Sequence, residues 1–275
     1  DWKVPLQSRR PIARAMAIDA GAATRAIRSG PVRESAVFDV FDPITYAKGG
    51  AVLTMLEQWI GPERFRRGLV AYMKERRLSN ATAADLWHHI GRASGKDTAA
   101  VAASWTDQQG FPLVQLRSAC VDGRQSVSLS QRRFASMDDG RPPPQVWKIP
   151  LRLARGAQVT TLLFDTPERS VALGACSAQP VVANAGGACF YRFEYDADTL
   201  RAHSAGFAAL RDIDRATLLS DSFALMQSGR LPMLAYLDVL QALPAVADSS
   251  RTMLWSLAGA QFEFLDKAFA GAPAQ

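Results

Sequence analysis

Histidine and cysteine are both scarce in this sequence, which contains three of each among 275 residues. The cysteines, Cys120, Cys176 and Cys189, show no CxxC spacing, so a structural zinc knuckle is excluded. The sequence leaves two states open for them, namely three buried free thiols or a bridge between Cys176 and Cys189. It also leaves the compartment open between the cytoplasm and the periplasm.

The sequence also lacks long apolar runs and any single segment in which its charge is concentrated. No stretch approaches about 18 consecutive apolar residues, so the sequence predicts no membrane span. The net charge of +6 is spread along the chain. We interpret its basic clusters, Arg9-Arg10 and the arginines and lysine of residues 64–77, as solvated helix faces and expect no nucleic-acid partner. The chain starts at Asp1 with no signal-peptide pattern, so we expect either a removed leader or a piece of a longer protein.

The common catalytic signatures HExxH, GxSxG, GxGxxG and SxxK do not occur. The adjacent His88 and His89 point about 100° apart on a helix, so they cannot chelate one ion together; His203 stands alone. Residues 91–97 resemble a phosphate-binding loop but are one residue too short and follow a helix, so we interpret them as a helix C-cap. The residue chemistry alone therefore shows no complete active site.

The hydrophobic period divides the chain into three parts. Apolar residues recur every three to four positions from Tyr46 to residue 113 and again in residues 197–275, which predicts helices. The first forty residues are mixed and predict one helix, over residues 13–23. In residues 114–196 the period is two, as in Trp147, Ile149 and Leu151, which predicts a small β-sandwich of six or seven strands. The proline-rich residues 141–144 are predicted to form a loop. The expected fold is thus a multidomain α and β protein.

One set of segments is far more specific than these patterns. It resembles, in order and spacing, the aminopeptidase N-like zinc metallopeptidases, beginning with their YxKG motif at Tyr46, Lys48 and Gly49. The matching segments are residues 41–56, 61–65, Tyr72, 80–87, 105–112, 147–151, 191–196, 214–216 and 218–225.

The resemblance implies an identity for each of the three parts. Residues 1–113 would be the C-terminal helical part of a thermolysin-like catalytic domain, residues 114–196 the β-sandwich domain, and residues 197–275 the beginning of a C-terminal α-helical domain. The family's zinc-binding HExxH motif and second glutamate precede the YxKG segment and are not found here. We therefore expect a fragment that starts after the zinc motif and is inactive alone, with zinc and peptide substrates bound only by the full-length enzyme.

Tyr46 is the one catalytic residue that the resemblance assigns to this chain. In the family, the tyrosine of YxKG donates its phenolic O–H to the oxyanion of the tetrahedral intermediate, a task that suits a neutral donor. The alternative is that Tyr46 is a helix-start aromatic packed in a core. Lys48 and Gly49 receive only structural roles, Gly49 by allowing close helix packing.

Two functions of different kind remain open on the sequence. The first is a portion of a zinc aminopeptidase that removes N-terminal residues from peptides. The second is a non-catalytic binding or scaffolding protein built of helices and a β-sandwich. The oligomeric state is undetermined.

Overall fold

The computed structural model describes residues 4–28, 30, 33–136, 144–187 and 189–271. Before the strands, the described residues form the α-helices α1 (Val4–Gln7), α2 (Arg9–Asp19), α3 (Gly49–Ile60), α4 (Pro62–Glu75), α5 (Ala83–Ser94) and α6 (Thr98–Thr106). A 3₁₀-helix (Glu34–Val40) and a π-helical turn (Ile44–Lys48) precede α3.

Local side-chain chemistry sets the ends of α5. The Thr82 hydroxyl accepts a hydrogen bond from the Asp85 N–H, and the Asp85 carboxylate accepts one from the Thr82 N–H at 2.8 Å. This capping box satisfies N–H groups that the first turn of a helix leaves free. Gly95 ends the helix with a φ of +69°, so the C-cap interpretation of residues 91–97 is confirmed.

Gly68 lies at a close approach of two helices. A Cβ atom there would lie 2.7 Å from the Cα of Ile90, so only glycine lets α4 cross α5 at this distance. At Gly49 an added Cβ would meet no atom within 4 Å. The prediction that Gly49 allows close packing is therefore wrong, because the space beside it is open.

The middle of the chain forms two small sheets. Their strands are β1 (Pro112–Val121), β2 (Arg124–Arg133), β3 (Ile149–Arg155), β4 (Gln158–Phe164), β5 (Glu168–Ala175), β6 (Val182–Ala183) and β7 (Arg192–Tyr195). One sheet has the order β5-β2-β1-β7, and the other has the order β4-β3-β6. All pairings are antiparallel except β1 with β7. Residues 141–143 of the expected loop lie outside the described residues, and Pro144 is in neither a helix nor a strand.

A tight hairpin joins β1 and β2. Asp122 and Gly123 have φ values of +49° and +71°, which is the left-handed geometry that a two-residue hairpin turn needs. Next to this turn a disulfide joins Cys120 to Cys176, just beyond the end of β5, while Cys189 is free and buried. A Cys176–Cys189 bridge is thereby excluded, because Cys176 pairs across the sheet edge with Cys120 instead.

Removing this disulfide should destabilise the protein. Because the bridge closes a loop across a sequence separation of 56 residues, we expect the Cys120→Ser/Cys176→Ser variant to lose about 2–4 kcal/mol of unfolding free energy. Urea denaturation of the oxidised proteins measures this loss. Thiol titration in denaturant should find one free thiol before reduction and three after it; three free thiols in unreduced protein would contradict the pairing.

The first helices and the two sheets share one hydrophobic core. Trp105 of α6 is fully buried, and its indole N–H donates to the Lys148 carbonyl at 3.0 Å, which ties α6 to the start of β3. Trp147, Ile149 and Leu151 are all 0% exposed, as their period of two predicts for alternate residues on one face of a strand.

The helices after the strands build a second core. They are α7 (Ala197–Ala205), α8 (Asp212–Gln227), α9 (Met233–Gln241) and α10 (Arg251–Phe269). Fully buried Leu219, Tyr236 and Leu254 lie in this core. Tyr195 and Leu231 pack against both cores. None of the helices among the described residues is long and apolar enough to cross a membrane.

One cation of the basic clusters predicted to lie at the surface is buried. Arg9 of α2 is 2% exposed, and its guanidinium donates to the Gly187 carbonyl at 3.2 Å. The Arg9 guanidinium also lies near a buried ion pair, in which Arg192 of β7 contacts the carboxylate of Asp221 of α8 at 2.9 Å. The surface interpretation of Arg9 is therefore wrong, because Arg9 lies on the face of α2 that packs against the rest of the protein, which includes the π-helical turn and α8.

Candidate functional site

Tyr46 lies in the middle of the π-helical turn that precedes α3. A π turn holds one residue more than an α turn and is rare, and such turns occur frequently at functional sites. The Tyr46 N–H donates to the Asp42 carbonyl four positions back at 3.2 Å, whereas the Gly49 N–H donates to the Ile44 carbonyl five positions back, which is the π-helical pattern. The extra residue of the turn therefore changes the direction of Tyr46 relative to α3.

The side chain of Tyr46 faces solvent. It is 61% exposed, and no hydrogen bond joins its hydroxyl to another described residue. Its ring lies 6.2 Å from that of Phe41, which in turn lies 6.1 Å from Phe38, and both phenylalanines are exposed. The structure thus contradicts the alternative of a tyrosine packed in a core.

Arg25 and Asp42 hold the entrance of the turn. The Arg25 guanidinium makes a bidentate contact with the Asp42 carboxylate, at 2.7 and 3.1 Å, and also donates to the Thr45 hydroxyl at 2.6 Å. The same carboxylate accepts from the Thr45 N–H at 2.9 Å. Burial alone would raise the pKa of Asp42, but the hydrogen bonds from Thr45 and Arg25 outweigh it and hold the pKa below its ordinary value.

Lys48 ends the turn on its buried side. Its side chain is 0% exposed, and its ammonium lies 2.9 Å from the carboxylate of Asp19, which is also 0% exposed. The turn is therefore held at both ends by ion pairs, Arg25–Asp42 near the surface and Lys48–Asp19 in the core.

The histidines and acidic residues do not gather into a metal site. Among the described residues, no group of three or more His, Cys, Asp and Glu side chains could hold an ion. His88 is exposed, whereas His89 is buried with its Nε2 3.2 Å from a Glu75 carboxylate oxygen. His203 is buried too, and its Nε2 lies 3.0 Å from the Val181 carbonyl. Of the three histidines, only His88 is therefore at the surface.

The zinc that the family resemblance implies does not fit the residues described here. The side chains that form the candidate site include no imidazole, and the carboxylates of its two ion pairs are already engaged by Arg25 and Lys48, so they do not supply the donor set of a catalytic zinc.

A cavity of about 670 Å³ lies elsewhere, between β7 and the helices α7, α8 and α9. Its lining is mostly apolar, with Leu200, Leu218 and Leu225 among the contributors, and it includes no residue of the Tyr46 turn. It is therefore separate from the candidate site.

Two family profiles match the chain. One is described as the peptidase family M1 domain and matches residues 2–105, and the other as the ERAP1-like C-terminal domain and matches residues 180–275. Tyr46 and its supporting residues all fall in the first of these segments.

Curated relatives give the same result. Identity is 32% over 228 residues to a leucyl aminopeptidase of Saccharolobus solfataricus, covering 82% of this chain and 28% of the relative. It is 32% over 223 residues to aminopeptidase M1 of Arabidopsis thaliana, covering 74% and 25%. It is 30% over 208 residues to a puromycin-sensitive aminopeptidase of Caenorhabditis elegans, covering 73% and 22%. The chain thus spans about a quarter of the length of these relatives, and it belongs to the aminopeptidase N-like family, peptidase family M1.

Proposed function

We propose that this chain is part of a zinc aminopeptidase that removes N-terminal residues from peptides, and that Tyr46 is its contribution to the chemistry. In this proposal residues 1–113 are the helical end of a thermolysin-like catalytic domain, residues 114–196 a β-sandwich, and residues 197–275 the start of an α-helical domain. The names of the relatives support the reaction class, and the family profiles support the order of the parts.

The exposed hydroxyl of Tyr46 is the observation that carries the proposal. Attack of water on a peptide carbonyl places negative charge on its oxygen, and a preorganised donor at that oxygen lowers the barrier. A phenolic O–H is such a donor, and the Tyr46 hydroxyl is not used by another described residue. The ion pair of Arg25 with Asp42 limits movement of the turn, so less reorganisation is needed when charge develops.

Zinc enters no step of this proposal, because the described residues do not fit it. We infer that the ion is held by another part of the enzyme. The scaffolding alternative gives no reason for a solvent-facing tyrosine on a π turn between two ion pairs, so the catalytic function is the one we favour.

Activity assays on the whole enzyme and on this chain test the proposal. We expect the whole enzyme to release the chromophore from aminoacyl-anilides, and the isolated chain to release none and to hold no stoichiometric zinc. Metal analysis and steady-state kinetics on tag-free protein give both results. One tightly bound zinc per isolated chain would contradict the assignment of the ion to another part, and a zinc-loaded whole protein that cleaves no aminoacyl-anilide or peptide would favour the scaffold.

A further inference from the structure

The Lys48–Asp19 ion pair is fully buried, with both side chains 0% exposed. Moving two charges into the core costs free energy of desolvation. Their attraction offsets this cost only when their remaining donors and acceptors also form hydrogen bonds. Here burial lowers the pKa of Lys48, and Asp19 opposes that shift through its charge and a hydrogen bond. Apolar residues of the same size often stabilise a core equally well, so stability alone does not explain this pair.

What the pair adds is a set of directional contacts to the backbone N–H and C=O of a single residue, Gly110. Lys48 donates to the Gly110 carbonyl at 2.9 Å, and the Gly110 N–H donates to Asp19 Oδ1 at 2.9 Å. The Thr24 hydroxyl donates to the same oxygen at 2.5 Å. Gly110 has a φ of +76°, a conformation that suits glycine, so the loop before β1 is shaped to present both of its polar groups to the pair.

These contacts join three segments of the chain at the end of the π turn. Asp19 ends α2, Lys48 ends the turn, and Gly110 lies in the loop between α6 and β1. If the turn relaxed to α-helical geometry, the residues before Lys48 would rotate about the helix axis by about 100° for each residue of register lost. Tyr46, two positions before Lys48, would then point elsewhere.

We propose that Lys48 is a positioning residue: through its contacts with Asp19 and Gly110 it fixes the π turn and with it the direction of the Tyr46 hydroxyl. This inference rests on the proposed function of Tyr46. It assigns Lys48 no contact with substrate, since the side chain is enclosed by protein.

A double-mutant cycle in the whole enzyme tests the inference. We expect Lys48→Met to lower kcat at least about tenfold, with KM changed less than about twofold, because only an interaction made in the transition state is lost. In a Tyr46→Phe background the same substitution should lower kcat less than about twofold, because no hydroxyl remains to be positioned. A merely structural lysine would lower kcat equally in both backgrounds.

Lys96→Met is the matched control. Lys96 also attaches α3 to a neighbouring segment, since its ammonium donates to the Trp59 carbonyl at 2.7 Å, but it lies outside the turn. We expect this variant to keep kcat within about twofold of wild type in both backgrounds. Amide exchange of residues 44–48 gives a second readout, and it should become faster in Lys48→Met but not in Lys96→Met.

A variant without either buried charge covers the case in which Lys48→Met does not fold. Asp19→Leu/Lys48→Met removes both charges of the pair at once, a change that is often tolerated in cores. We expect this variant to lose kcat as Lys48→Met does when Tyr46 is present, and to show no further loss in the Tyr46→Phe background. A folded variant with wild-type kcat, or with the same loss in both backgrounds, overturns the positioning role and leaves the function of Tyr46 intact. A Tyr46→Phe enzyme with wild-type kcat overturns both.

Discussion

Replacing Tyr46 with phenylalanine should lower kcat of the whole enzyme about 10²–10³-fold, the scale on which one oxyanion donor contributes. KM should change little, because the hydroxyl bonds to charge that exists mainly in the transition state. Phenylalanine keeps the ring that lies beside Phe41, so packing and zinc content should be preserved. Steady-state kinetics on an aminoacyl-anilide, with metal analysis of each preparation, measures the effect.

Tyr72→Phe is the control for this substitution. Tyr72 lies on α4 with its ring against His89, 6.1 Å between centroids, and loses the same single oxygen atom in the change. Its kcat should remain within about twofold of wild type. Wild-type turnover by a metal-loaded Tyr46→Phe enzyme would show that the exposed hydroxyl has no part in the reaction.

Replacing Trp147 with alanine should reduce the unfolding free energy by about 3–5 kcal/mol, because it leaves a cavity the size of an indole in a closed core. Trp147 is 0% exposed, and its backbone is fixed by the Gln131 side chain, which accepts from the Trp147 N–H at 2.8 Å and donates to its carbonyl at 3.0 Å. The backbone therefore has little freedom to move and close the cavity. Urea denaturation measures the loss.

Trp255→Ala provides the comparison for that loss. Trp255 lies on α10 and is 38% exposed, so the same change of residue should cost much less there. A loss of unfolding free energy below about 1 kcal/mol for Trp147→Ala would mean that β3 and the residues that lead into it do not have the register described.

The elements that follow from neighbouring residues could be predicted from the sequence. The capping box at Thr82 and the hairpin turn at Asp122-Gly123 depend on residues that are three positions apart or fewer. The alternation at Trp147, Ile149 and Leu151 predicted burial because a strand has a period of two. In each case the sequence pattern and the structure are connected by short-range geometry alone.

The long charged side chains and the disulfide could not be predicted in the same way. Arginine and lysine are usually solvated, so nothing in the sequence predicts the burial of Arg9, and the YxKG motif singles out Lys48 without predicting that it is buried. Each is buried against a backbone carbonyl that is distant in sequence, that of Gly187 for Arg9 and that of Gly110 for Lys48. Such contacts depend on the complete fold. The pairing of Cys120 with Cys176 likewise depends on β2 lying between β1 and β5 in the sheet.

The candidate site also combines a residue that the sequence identifies with partners that only the fold brings together. Tyr46 was identified from a family resemblance, and its catalytic role stays a prediction. Of the residues that hold its turn, Asp42 and Lys48 lie in the matching segment, but their partners carry no motif: Arg25 precedes Asp42 by 17 positions, and Asp19 is 29 positions from Lys48. Only the fold brings them to the two ends of one π turn.

The core shared by the first helices and the sheets limits how an enzyme built on this chain can open and close. Swinging the Tyr46 turn and α3 away from the strands would expose Trp105 and Phe111, both 0% exposed, and would break the contacts of Lys48 with Asp19 and Gly110. We therefore expect Tyr46 to keep its position relative to the sheets. In the proposed enzyme, a domain motion that admits a peptide would then move the opposing groups toward a tyrosine hydroxyl that stays in place.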